Sequence, residues 1–196
     1  MVCEEGSMDE HAEVIAKAVN KLITQDKESA IQIIDSCYPF RKITVHHRAY
    51  TTNQKFMVFF RDGFIDRYTG EKLINPGVLK ALSFYFPDKF PYHPHWKMQE
   101  THVAYWELVP TIDHIVPIAQ GGKDNLENWV TTSMLHNQIK NNWSLEQLNW
   151  RLHTPGNIDQ WDGLTKMFIT LVRQNDELLQ DKYIRLWYQT SKNGMS

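Results

Sequence analysis

Ile112-Asp113-His114-Ile115-Val116-Pro117, then Gly121-Gly122, then Glu127-Asn128-Trp129-Val130, then His136-Asn137-Gln138-Ile139-Lys140 follow one another in a single short stretch. The apolar and β-branched residues around Asp113 read as a strand, and Gln120-Gly121-Gly122-Lys123 as a turn. Trp129-Val130-Thr131 supplies a second short strand. Thr132 or Ser133 can cap a helix running to about Asn141. The order strand, loop, strand, helix predicts a ββα unit over about residues 106–142, short enough to fold around one cation.

The residue types in this unit fit one kind of chemistry. Asp113 is a hard oxygen donor suited to Mg²⁺ or Mn²⁺. Its neighbour His114 points the other way in an extended chain, so one side chain can hold a metal while the other faces a water. Histidine titrates near neutrality and suits removal of a proton from that water. Asn137, near the start of the helix, offers a carbonyl oxygen to a metal. Lys140, a turn further along, is expected to meet a phosphate. A base, a cation and a positive side chain are what a phosphodiester hydrolase needs.

In this order and spacing the motifs resemble the HNH (His-Asn-His) endonuclease family. The resemblance implies that His114 is the general base, Asp113 a metal ligand and Asn128 the middle Asn, whose side chain holds the loop orienting His114. Asn137 would occupy the last motif position as second ligand, with His136 as the alternative, and Lys140 would sit near the substrate phosphate. Many members carry two cysteine pairs for a structural zinc. Here Arg61-Asp62-Gly63 is kept, but Asp66 and Thr69 stand at the first pair, and Ser133 and His136 at the second. No structural zinc is therefore expected. The stretch from Arg61 through Trp150 also resembles a bacterial subgroup lacking those cysteines.

The implied fold is α+β: a ββα-metal (His-Me finger) nuclease core embedded in a mainly helical single domain. The core would occupy residues 55–150 of 196, with N-terminal helices over 1–40 and C-terminal helices over 151–196. The implied function is a DNA endonuclease using His-activated water and one divalent cation. A non-catalytic nucleic-acid-binding module on the same scaffold is the alternative.

Around this core, helical spacing covers residues 8 to about 36, with Asp26 as a cap. That pair reads as packing on the core, or functionally as a partner-binding arm. Thr52 can cap a helix to Arg61, Phe64–Leu73 reads as a hairpin turning at Gly70, and Pro76 opens a helix to about Phe86. Residues 87–97 read as an irregular loop, with His93, His95 and His102 as packing or surface residues. A strand with interruptions is expected from Trp106 to Ile118. Ser144–Gln147 has a capping-box pattern for a short helix, and two more helices are expected near 163–174 and 177–190. Arg41–Tyr50, with His46, His47 and Arg48, reads as a strand or extended link. The C-terminal helices carry Trp161, Trp187 and Tyr188 as core or as a dimer surface, so a homodimer is allowed.

Composition narrows the partners. With 21 Lys and Arg against 23 Asp and Glu, the net charge is −2. Positive charge for DNA must then be local or supplied by a metal. Arg67 is a second candidate phosphate contact beside Lys140. Two cysteines, Cys3 and Cys37, form no C-x-x-C pair, which excludes a cysteine zinc site and fits a reducing cytoplasm. Seven Trp argue for a packed core. No apolar run reaches membrane-spanning length, and acidic Met1–Gly6 does not read as a signal peptide.

Overall fold

The computed structural model describes residues 8–40 and 49–195. Cys3 and the Arg41–Arg48 segment, with His46 and His47, lie outside these. Where one domain was expected, the chain falls into two compact units, Met1–His47 and Arg48–Ser196.

The first unit is a helical hairpin of α1 (Met8–Ile23) and α2 (Lys27–Cys37). Ala18 and Ala30 are the buried residues of this pair, since small side chains let two helices approach closely. Asp26 caps α2 by accepting from the Ser29 N–H at 3.1 Å, as its position predicts.

The second unit is a mixed helical and antiparallel structure, α+β in class. It opens with α3 (Thr52–Arg61), which is capped by Thr51 rather than by Thr52. Gln54 closes a capping box back onto Thr51, a pairing hidden by two adjacent threonines. The expected hairpin over Phe64–Leu73 shrinks to a single bridge, Ile65 to Lys72, with Gly70 in the left-handed turn between them. Asp66 and Tyr68 of this segment turn inward instead of extending a ladder. Asn75 and Pro76 then start α4 (Pro76–Tyr85).

Trp106 does not lie in a strand. It sits in a short helix, α5 (Ala104–Leu108), where it packs with Tyr105, Val109 and Leu79 in a small apolar cluster. The strand β1 begins only at Pro110 and ends at His114. Its partner β2 (Trp129–Ser133) runs antiparallel, with Asp113 opposite Val130 and His114 opposite Trp129. Ser133 caps α6 (Met134–Lys140) by accepting from the His136 N–H.

At Ser144–Gln147 both reciprocal bonds of a capping box form, at 2.8 and 3.1 Å, yet they close a turn and no helix follows. The chain ends with α7 (Thr165–Gln174), a 3-10 turn at Asp176–Gln180 and α8 (Lys182–Gly194). The main core joins Phe56, Phe59 and Phe64 to Ile112 and Trp129 of the sheet and to Phe168, Ile184 and Trp187 of the last helices. Trp187 is thus core, stacked on Phe59 at 6.2 Å. A fully buried Phe or Leu side chain stabilises by about 1.5–3 kcal/mol, so this cluster anchors the two-stranded sheet, which alone would be marginal. No helix among the described residues is long and apolar enough to cross a membrane.

Candidate active site

Asp113 and His114 end β1, and the pleat sends their side chains to opposite faces of the sheet. On one face Asp113 Oδ2 accepts from the Tyr68 hydroxyl at 2.7 Å and pairs with Lys140 Nζ at 3.0 Å. Burial, and then the negative field of Asp113, push the Tyr68 phenol far above its ordinary range, so this hydroxyl stays a donor.

Lys140 is fully buried. Its ammonium donates to the His114 carbonyl at 2.7 Å, pairs with Asp113 and lies 5.6 Å from the centre of the Tyr68 ring. This placement departs from a lysine reaching for a phosphate. The last turn of α6 folds back over the end of β1, and a cation buried there needs these partners. Arg67 is likewise drawn inward: its guanidinium pairs with buried Asp62 at 3.0 Å and also donates to the His153 carbonyl.

On the other face His114 Nε2 lies 2.9 Å from Asp124 Oδ1 and 3.4 Å from the Tyr50 hydroxyl. The same Asp124 oxygen accepts from Trp129 Nε1 at 2.7 Å and from Tyr50 at 3.0 Å. Trp129 is the cross-strand neighbour of His114, which is why ring and indole converge on one carboxylate. Burial alone would raise the Asp124 carboxyl, but the hydrogen bonds from His114, Trp129 and Tyr50 outweigh it and hold the group below its ordinary range. Sequence reading missed Asp124. An Asp directly after Gly-Gly-Lys looks like an ordinary turn residue, and nothing local marks it as a histidine partner.

The loop between the strands is closed by Asn128. Its Oδ1 accepts from the Val116 N–H at 2.9 Å, and its Nδ2 donates to the carbonyls of Val116 at 2.9 Å and Lys123 at 2.8 Å. Both ends of the loop are thereby tied, and Lys123 is the residue before Asp124. The two glycines act for separate reasons. Gly121 takes a left-handed φ of 86°. At Gly122 a Cβ would stand 1.9 Å from the Val116 carbonyl oxygen, so any side chain would force the loop off Asn128.

His136 turns to a third cluster. Its Nδ1 lies 2.8 Å from both Asp66 Oδ2 and Ser133 Oγ. Asp66, fully buried, also accepts from the backbone of Tyr68 and Ser133 and from the Thr132 hydroxyl. Three of the four positions aligned with zinc cysteines are therefore linked by hydrogen bonds, while Thr69 turns to Glu71 at 3.2 Å. Asn137 is half-buried on α6, and no hydrogen bond of its side chain is formed among the described residues. His102 stacks on Phe90 at 4.1 Å, and His93 lies 3.7 Å from Glu100, consistent with packing and surface roles.

Every buried side-chain nitrogen or oxygen among the described residues has a hydrogen-bond partner. Asp113 Oδ1 and His114 Nδ1 have none, so both open to solvent. Among the described residues no three His, Cys, Asp or Glu side chains gather as a metal cage. Side-chain donors without a hydrogen bond among the described residues are Asp113 Oδ1 and His114 Nδ1 at the end of β1, and His136 Nε2 and the Asn137 amide on α6. Such a sparse set fits a divalent cation that keeps several waters and takes only a few protein ligands.

Residues 108–134 match the family model described as HNH endonuclease. The match spans β1, the Asn128-tied loop and β2, and it coincides with the resemblance read from the motifs. The chain thus carries an HNH segment, which points to nuclease-type activity. No curated protein and no solved structure matches the chain.

Proposed function

We propose that this protein is a DNA endonuclease that hydrolyses phosphodiester bonds with a histidine-activated water and one divalent cation, Mg²⁺ or Mn²⁺. The observation that carries the reading is the end of β1. There an open carboxylate oxygen of Asp113 and an open ring nitrogen of His114 stand on adjacent residues, held by the Asn128-tied loop. The strand–strand–helix order of β1, β2 and α6 supports a ββα-metal core.

Asp113 Oδ1 and the Asn137 amide oxygen would hold the cation. His136 is the alternative second ligand: Asp66 and Ser133 hold its Nδ1, and its Nε2 forms no hydrogen bond among the described residues. A bound cation polarises the phosphate and neutralises charge on the leaving oxygen. His114 Nδ1 takes a proton from water as the water oxygen attacks phosphorus. The phosphorus–oxygen ester bond breaks, and the departing oxygen takes a proton from solvent. Lys140 keeps Asp113 and the His114 backbone in place from beneath. One site makes one nick, so a double-strand break needs a second copy or a second event.

Cleavage of supercoiled plasmid with Mg²⁺ or Mn²⁺, beside a chelator control and His114→Ala, tests the reading. Metal-dependent nicking that His114→Ala loses by about 100- to 10,000-fold is expected. Full activity in His114→Ala would overturn the base assignment. Absence of cleavage by the wild type in any metal would point to the binding module instead.

A further inference from the structure

The loop residue Asp124 is more than a turn residue, and its role rests on His114 being the base. We infer that Asp124 is a positioning residue for the reaction: its carboxylate accepts the Nε2–H of His114, fixes the ring and its tautomer, and leaves Nδ1 bare to take the proton from water.

Four observations lead there. A carboxylate is an acceptor only, so at 2.9 Å from Asp124 the proton must sit on Nε2. The Tyr50 hydroxyl cannot reverse this assignment, because it lies nearer Asp124, at 3.0 Å, than the ring, at 3.4 Å. With Nε2 protonated, a neutral ring carries its lone pair on Nδ1, the nitrogen that has no protein partner and opens to solvent. Finally, Asp124 is itself held by three donors on one oxygen and by Asn128 gripping the preceding carbonyl, so it is a fixed support.

The arrangement separates two tasks that a lone histidine would combine. A ring free to rotate about its χ angles presents either nitrogen, and only one orientation is productive. The carboxylate behind the ring thereby fixes which nitrogen meets the water, as in carboxylate–histidine pairs generally. Trp129 and Tyr50 are then the supports that keep the carboxylate from swinging into solvent, where about 43% of its side-chain surface already lies.

The test uses the ¹⁵N-labelled full chain and needs no metal for its first part. In neutral conditions the wild type should show a His114 Nε2–H signal slowed in exchange, assigned by its loss in His114→Ala. Asp124→Asn, which keeps an acceptor oxygen, should retain the signal, and Asp124→Ala should lose it. In cleavage, Asp124→Ala should lower kcat by about 10- to 100-fold at unchanged KM, and Asp124→Asn by less. In a His114→Ala background, Asp124→Ala should cost nothing further, since a residue that acts through another is silent without it. An unchanged Nε2–H signal in Asp124→Ala overturns the inference. So does additive loss in the double variant, which marks a purely structural role. Loss of cleavage in His114→Ala with none in Asp124→Ala overturns this inference alone. Full cleavage by His114→Ala overturns the function reading together with it.

Discussion

Two histidine–carboxylate pairs flank the same small sheet, and they differ in which member is hidden. In the Asp66–His136 pair the carboxylate is fully buried and saturated by donors from Tyr68, Thr132 and Ser133. In the Asp124–His114 pair the carboxylate is 43% exposed and the ring is the buried partner. The first pair spends every acceptor on joining the Asp66 turn to the start of α6. The second pair has its carboxylate on an exposed loop, and in both pairs the far ring nitrogen, His136 Nε2 or His114 Nδ1, forms no hydrogen bond among the described residues. A buried, fully satisfied polar cluster is a cross-link, because removing any member strands several donors. The His114 pair differs in standing beside Asp113, whose open Oδ1 lies on the adjacent residue.

The sharpest way to break this contrast is His114→Ala. Cleavage should fall by about 100- to 10,000-fold while the urea midpoint stays near that of the wild type. A large loss of stability would make His114 another cross-link. The mirror experiment is Asp66→Ala, which leaves buried donors of four residues without an acceptor. It should cost about 3–5 kcal/mol in urea unfolding. A cost under 1 kcal/mol would show that the cluster is not what replaces other staples here.

Lys140→Met sharpens the comparison from below the site. It removes a buried cation from Asp113 and should cost about 3 kcal/mol of stability, the low end for a buried pair because Tyr68 still donates to Asp113. The salt dependence of DNA binding should not change, since a buried ammonium neutralises no phosphate. A shallower salt slope in Lys140→Met would restore the phosphate role expected from sequence.

The smallest effect concerns Asp124 and pH. Its carboxyl is held below the ordinary range in the folded protein, so on acidification the unfolded chain takes up that proton first. The stabilisation is complete above the unfolded value and is lost as pH falls through the folded one. Exposure makes the contribution small. Comparing urea midpoints across the acid range, Asp124→Asn should lack this limb, and an identical pH dependence in both proteins would refute it.

Much of the site was legible because its information is local. Asp113 and His114 diverge from a strand by pleat alone, Gly-Gly announces a tight turn, and Asn128 before Trp-Val marks the return strand. Helix starts at Asp26, Pro76 and Ser133 follow from capping chemistry within one turn of chain. Where local signals compete, reading failed by small margins. Thr51 beat Thr52 as a cap, and a capping box at Ser144 closed a turn without a helix.

What only the tertiary structure decided is the partner of each polar group. Asp124 becomes the partner of His114 because Asn128 folds a loop back, and Trp129 meets it through strand register. Lys140 goes inside because α6 returns over β1, turning a cation one helical turn from Asn137 away from solvent. Trp106 joins a helix because its apolar neighbours, Tyr105 and Val109, gain more by packing on Leu79 than by extending a strand. Sequence by itself determined which chemistry the stretch from Asp113 to Asn137 can support, since residue type and spacing limit what a strand, turn and helix can present. Which nitrogen faces water, and which charges are spent on holding it there, depends on contacts between residues distant in the chain.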